Sequence, residues 1–227
     1  MPSKKPSSDI RPEAPKLAWY TAFERIAPLV VKITTHEGEG TGFLIANPAD
    51  SSEQLIATAS HVVKEAVYWD TPIEIEHAIT KKGKRVKHSE RTIQPYPYLD
   101  TAVIKLSLGN DFGFPNESSS FIKEGKRLKV GADIGWVGYP EISDGNLCFF
   151  NGKISAWVQK ERFYYVDGTG IRGVSGGPAF AIVGRQIRLI GLITNYKSAP
   201  GEGTVTPGLC IVRDIKHARD AANKIVD

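Results

Sequence analysis

Short runs of apolar and β-branched residues, broken repeatedly by Gly, Pro, Asn, Asp and Ser, set the strongest limit on what this chain can fold into. In the second half these runs are Arg127 to Val130, Asp133 to Tyr139, Leu147 to Ser155, Arg162 to Val166, Pro178 to Val183, Arg188 to Asn195 and Gly208 to Val212. The first half offers Leu29 to Thr35, Thr41 to Ala46, Gln54 to Ala59 and Thr101 to Leu106. Runs this short, with turn residues between them, predict an all-β sandwich or barrel. Helical periodicity is confined to the two ends. Leu17, Trp19, Tyr20, Phe23 and Ile26 predict an amphipathic helix from Ala14 to Ala27, stopped near Pro28. Ile215, Ala218, Ala222, Ile225 and Val226 predict a closing helix from Arg213 to Val226. Ser107 to Gly125 is rich in turn residues and reads as a linker between two β halves.

Within this framework one stretch carries chemistry. Ser175 stands in Gly173-Val174-Ser175-Gly176-Gly177-Pro178, with Gly168 and Gly170 just upstream. Glycines let the backbone turn tightly, expose the hydroxyl and bring bare N–H groups close to a bound group. A nucleophilic serine needs both an accessible Oγ and donors aimed at a developing oxyanion. A Ser-Gly-Gly-Pro turn is also ordinary hairpin chemistry, so the stretch alone decides nothing. His61, at the end of an apolar strand, and Asp100, at the head of another, are the residue types that would complete such a site.

Other motifs lead elsewhere. Gly38-Glu39-Gly40-Thr41-Gly42 is not a phosphate loop, because a strand follows where a helix would have to open. The run Lys81-Lys82-Gly83-Lys84-Arg85-Val86-Lys87 reads as a solvated hairpin connection, since no aromatic residues interleave with its charges. His36, His61, His77, His88 and His217 show no metal-ligand spacing, so neither metal nor cofactor is expected.

With 41% hydrophobic and 24% charged residues, the composition is that of a soluble globular protein with a substantial core. No apolar run reaches the roughly 20 residues of a membrane-spanning helix. Residues 1–15, rich in Pro, Ser and Lys, read as a disordered tail without signal-peptide character. Cys148 and Cys210 are the two cysteines, too few for a disulfide framework; both fall in apolar segments of the C-terminal half and read as two buried thiols, with a bond between them as the alternative. These features together give a cytoplasmic expectation.

Taken in chain order, His61, Asp100 and Ser175 follow the order of the chymotrypsin-like peptidases, whereas other serine hydrolase folds use different orders. The local sequences Thr58-Ala59-Ser60-His61-Val62-Val63, Leu99-Asp100-Thr101-Ala102-Val103-Ile104 and Gly173-Val174-Ser175-Gly176-Gly177-Pro178 agree with that order. The chain resembles a trypsin-like serine peptidase domain, closest to the HtrA (DegP-like) branch, over roughly residues 17–215. Gly40-Thr41-Gly42-Phe43-Leu44-Ile45 and Gly138-Tyr139-Pro140 point to that branch.

The resemblance implies an all-β fold of two six-stranded antiparallel β-barrels with short terminal helices. Residues 16–110 would form the first barrel with its leading helix, and residues 111–227 the linker, second barrel and closing helix. It implies His61, Asp100 and Ser175 as a catalytic triad and the N–H groups of Gly173 and Ser175 as oxyanion hole. By the same alignment Thr169 lies at the bottom of the specificity pocket and Arg172 near its entrance. Thr194, Asn195 and Tyr196 pair with the substrate backbone, and Gly208 forms the opposite wall. The partner is then a protein or peptide substrate, and an oligomer or larger regulatory assembly is compatible with the branch. Nucleic acid and membrane are not expected partners. The PDZ domain usual in the branch is not expected here. Val174 stands where the secreted trypsins have an aspartate that receives a new N-terminus, so activation by cleavage is not expected. Two other readings are a catalytically silent binding module on the same fold and a nucleic-acid-binding barrel. The first should lack a triad member; the second would use the basic run.

Overall fold

The computed structural model describes residues 17–46, 53–115, 120–197 and 209–226. Seven strands form the N-terminal sheet: β1 (Val30–Thr35), β2 (Gly38–Ala46), β3 (Glu53–Thr58), β4 (Ile73–His77), β5 (Gly83–Val86), β6 (Arg91–Tyr96) and β7 (Thr101–Ser107). Their spatial order is β5-β4-β1-β2-β3-β7-β6, with every neighbouring pair antiparallel. The sheet curls, and Arg91 works at its open seam. Its buried guanidinium donates to the carbonyls of Val86, Ala66 and Thr71, tying the start of β6 back to the end of β5.

The C-terminal strands are β8 (Asp133–Gly138), β9 (Cys148–Val158), β10 (Phe163–Asp167), β11 (Pro178–Val183), β12 (Gln186–Lys197) and β13 (Leu209–Asp214). They close into an antiparallel barrel in the order β10-β13-β12-β11-β8-β9. The expectation of a chymotrypsin-like all-β fold therefore holds. The N-terminal half differs in detail, being a curled sheet of seven strands, and among the described residues no ladder joins its edges.

Three apolar clusters hold the molecule together. One fills the curl of the first sheet with Val31, Ile33, Ile56, Ile75 and Ile104. Another fills the closed barrel around Trp136, Ile154, Val166 and Val212. The third lies between the halves and joins Phe43 and Leu44 of β2 to Val137, Tyr139 and Phe180. The helices clasp this arrangement crosswise. Helix α1 (Trp19–Ile26) sets Trp19 against Phe149 and Phe180 of the C-terminal barrel, with ring centroids 5.8 and 6.0 Å apart. Helix α2 (Lys64–Tyr68) is a short turn within the N-terminal half, and helix α3 (Ile215–Val226) packs on β6 and β7 of the N-terminal sheet. Burying both apolar helix faces across the junction resists separation of the two halves.

Several details differ from the sequence expectations. Arg127 to Val130 is not a strand, and Val130 is 65% exposed. The pairing comes earlier, inside the predicted linker, where Ser120 and Ile122 bond Leu189 of β12 through backbone groups. The basic run is itself strand β5 and its turn. Lys81 pairs with Glu76, Lys82 with Asp111, and the Lys84 ammonium donates to the Ser107 carbonyl. The leading helix begins at Trp19, later than expected, while residues 14–16 lie outside the described residues. Both cysteines are free, Cys210 buried and Cys148 half-buried. Burial pushes the Cys210 thiol up to about 12.

His77 ends β4 fully buried. Its Nε2–H donates to the Pro28 carbonyl at 2.9 Å, so Nδ1 is the acceptor for the backbone N–H groups of Ile79 and Thr80. Burial is the main force holding this imidazole below its ordinary range, and the charge of nearby Lys81 acts the same way against the Pro28 bond. Burial likewise lowers His217 on α3. In the unfolded chain both rings take up a proton near pH 6.5, before the folded protein does. Stability is therefore complete above that pH and declines below it. Thermal melts should show a falling Tm between pH 7.5 and 5.5, with a shallower slope for His77→Gln. A slope unchanged by that substitution would dismiss His77 as a source of the decline.

Candidate active site

Strand β3 ends at Thr58, and a 3-10 turn, Ser60–Val63, carries His61 out over the junction between the halves. Asp100 follows another 3-10 turn, Pro97–Leu99, and precedes β7 with φ +47. Aspartate tolerates this left-handed conformation better than most residues. The turn delivers its carboxylate to His61 in two ways. The His61 backbone N–H donates to Oδ1 at 3.0 Å, and the ring Nδ1 lies 3.0 and 2.9 Å from the two carboxylate oxygens. A carboxylate accepts, so Nδ1 bears the proton and Nε2 keeps its lone pair.

Ser175 sits in the turn before β11, half-buried. The glycines beside it are demanded by packing. A Cβ on Gly176 (φ +87) would lie 2.0 Å from the Thr41 carbonyl oxygen, and one on Gly177 2.0 Å from that of Val137. Ser175 Oγ donates to the Thr194 carbonyl at 3.3 Å. Among the described residues no hydrogen bond joins it to His61, yet both line one cavity of about 230 Å³. Thr35, Glu37, Glu39, Glu141 and Arg172 border the same cavity. The Thr194 carbonyl is available because β12 bulges there: Ile193 pairs with Val212 and Asn195 with Ile211, leaving Thr194 outside the ladder.

The loop before Ser175 is pinned. Arg172 O accepts from Glu141 N–H at 2.9 Å, and Val174 O accepts from Gly177 N–H at 2.9 Å. In a trans peptide the carbonyl and N–H point opposite ways. The N–H groups of Gly173 and Ser175 are therefore turned away from those partners, and no hydrogen bond among the described residues uses either.

The remaining predicted residues divide. Thr169 is exposed, on a segment held by Cys210 Sγ–H donating to the Gly168 carbonyl at 3.1 Å. Arg172 is exposed and lies 3.7 Å from Glu141 across the cavity. Thr194 is buried, Asn195 is exposed, and Tyr196 continues β12 opposite Cys210. Gly208 and the loop from 198 to 207 lie outside the described residues. Sequence reasoning missed Thr41, quoted above only as part of a motif, although it bonds both Gly173 and Ser175. A lone threonine in a glycine-rich strand gives no signal of that.

The Trypsin-like peptidase domain family matches residues 40–192, two thirds of the chain. The chain belongs to this family, and it is a trypsin-like serine endopeptidase, a hydrolase acting on protein or peptide substrates. Solved structures share the fold. A serine endoprotease from Yersinia pestis is similar with a TM-score of 0.67 and 20% identity, over 94% of this chain and 68% of that one. An inactive serine-to-alanine mutant of Rv3671c from M. tuberculosis gives 0.63 and 20%, over 94% and 96%. The inactive form of the Rv3671c protease gives 0.62 and 21%, over 89% and 91%. No curated protein sequence matches the chain.

Proposed function

We propose that this peptidase cleaves peptide bonds through Ser175, His61 and Asp100 by way of an acyl-enzyme. The observation that carries the reading is the double contact of Asp100 with the His61 ring at the edge of the cavity that Ser175 lines. Ser175 is too weak an acid to attack a carbonyl unaided, so His61 Nε2 takes its proton as Oγ bonds to the carbonyl carbon. Asp100 keeps the tautomer and stabilises the imidazolium. The negative charge formed on the carbonyl oxygen is met by Gly173 N–H and Ser175 N–H, each such donor contributing about 3–4 kcal/mol. The C–N bond then breaks, His61 returns the proton to the leaving amine, and water releases the acyl group by the same route. Ser175 must rotate from Thr194 O toward His61, and such bonds commonly tighten only with substrate in place. A fluorophosphonate probe should label the intact protein at Ser175 without prior proteolytic trimming. Absence of labelling in correctly folded protein would count against the mechanism.

The specificity pocket belongs to the same proposal. By the family alignment Thr169 stands at its base and is uncharged, which removes the partner a lysine or arginine would need, and position 196 is a tyrosine where larger-pocket relatives carry glycine. Peptide-library profiling should show Ala, Val or Thr before the cut. A dominant preference for Lys, Arg or Trp would mean the pocket is built otherwise.

A further inference from the structure

Thr41 lies in β2, fully buried, where the N-terminal sheet meets the loop bearing Gly173 and Ser175. Its hydroxyl uses both of its hydrogen-bonding functions across that seam. It donates to the Gly173 carbonyl at 2.8 Å and accepts from the Tyr139 backbone N–H at 3.0 Å. Its backbone N–H donates to the Ser175 carbonyl at 2.8 Å, and its carbonyl accepts from Thr58 Oγ1 at 2.7 Å. One side chain therefore ties segment 139–141 to Gly173, and one backbone ties β2 to Ser175.

Gly173 has φ +89, and a Cβ there would stand 2.1 Å from the Tyr139 carbonyl oxygen, so glycine is required. Glycine is also the residue whose flanking peptides rotate most freely. Two bonds oppose that rotation: Glu141 N–H on the carbonyl before Gly173, and Thr41 Oγ1–H on the carbonyl after it. Only the second comes from a side chain. We propose that Thr41 is a positioning residue: its hydroxyl holds the Gly173–Val174 peptide, which limits rotation about the Gly173 backbone and so keeps the adjoining Arg172–Gly173 peptide, with its N–H, aimed at the oxyanion. The inference rests on the oxyanion role proposed above for Gly173. Removing the hydroxyl leaves the Gly173 carbonyl and the Tyr139 N–H buried without a partner, which favours any rotation that finds them new ones.

The test is a series at position 41 in the full chain, read with a peptide ester and a peptide-aldehyde transition-state analogue. Thr41→Val keeps the volume and deletes the hydroxyl; Thr41→Ser keeps the hydroxyl; Thr41→Cys offers a weak donor in nearly serine's shape. The Val variant should lose about 100-fold in kcat, on the scale of one lost oxyanion donor, with KM changed less than about threefold. Aldehyde affinity should fall with kcat, and serine should restore both to within about fivefold of wild type. If Val misfolds, the Ser and Cys variants decide, with Cys expected about tenfold or more below Ser in kcat. Wild-type kcat in the Val variant, or equal losses in Ser and Cys, would overturn the positioning role while leaving the peptidase mechanism intact. A loss seen in KM alone, with aldehyde affinity unchanged, would also overturn it. Wild-type protein that neither reacts with fluorophosphonate nor binds the aldehyde would remove both readings together.

Discussion

On the mechanism proposed above, Ser175→Ala is expected to lower kcat by on the order of 10⁶-fold, and His61→Ala by about as much, because a nucleophile and its base act as a unit. The double variant should be no worse than either single one. Folding should hardly change. Ser175 is half-buried and its Oγ makes one long bond, 3.3 Å, to a carbonyl. A loss of that size costs at most about 1 kcal/mol, so Tm should stay within about 4 °C of wild type. Kinetics on a peptide ester with purified variants give the answer. More than about a hundredth of wild-type activity in either folded variant would require another nucleophile or base.

The candidate site was more legible in the sequence than the sheet around it, and the reason is chemical. A triad needs particular side chains in a particular chain order, and Ser175 needs small neighbours, so His61, Asp100 and Gly173 to Gly177 carry signals independent of packing. Strands β4, β5 and β6 carry weak ones. β4 alternates, Ile73-Glu74-Ile75-Glu76-His77, but is short; β5 is half basic, with Val86 buried; β6 holds Pro95. β5 and β6 are the two edges of the sheet, and edge strands tolerate basic residues and proline because one side of the ladder is unpaired. Leu128 and Val130 misled in the opposite direction, as apolar residues among lysines with no partner strand. The bulge at Thr194 and the bonds of Thr41 depend on which elements meet across the molecule. A propensity argument reads only local preference and cannot supply that.

The junction between the halves also sets the largest expected stability effect. Gly176→Ala should destabilise the protein by about 3–5 kcal/mol, seen as a Tm lowered by roughly 10 °C or more. With φ +87, an alanine there costs about 1–2 kcal/mol in backbone conformation alone. The added methyl would also lie 2.0 Å from the Thr41 carbonyl oxygen and 2.3 Å from Thr58 Oγ1. Neither atom can retreat easily. The Thr41 carbonyl belongs to β2 and accepts the Thr58 hydroxyl, while the Thr41 N–H holds the Ser175 carbonyl. Relief therefore means parting β2 from the Ser175 turn, which lengthens the Thr41 bonds that anchor Gly173 and Ser175 together. Activity should fall along with Tm, in contrast to Ser175→Ala, where activity falls alone. A Gly176→Ala protein melting within about 3 °C of wild type would mean that this seam is looser than its distances imply.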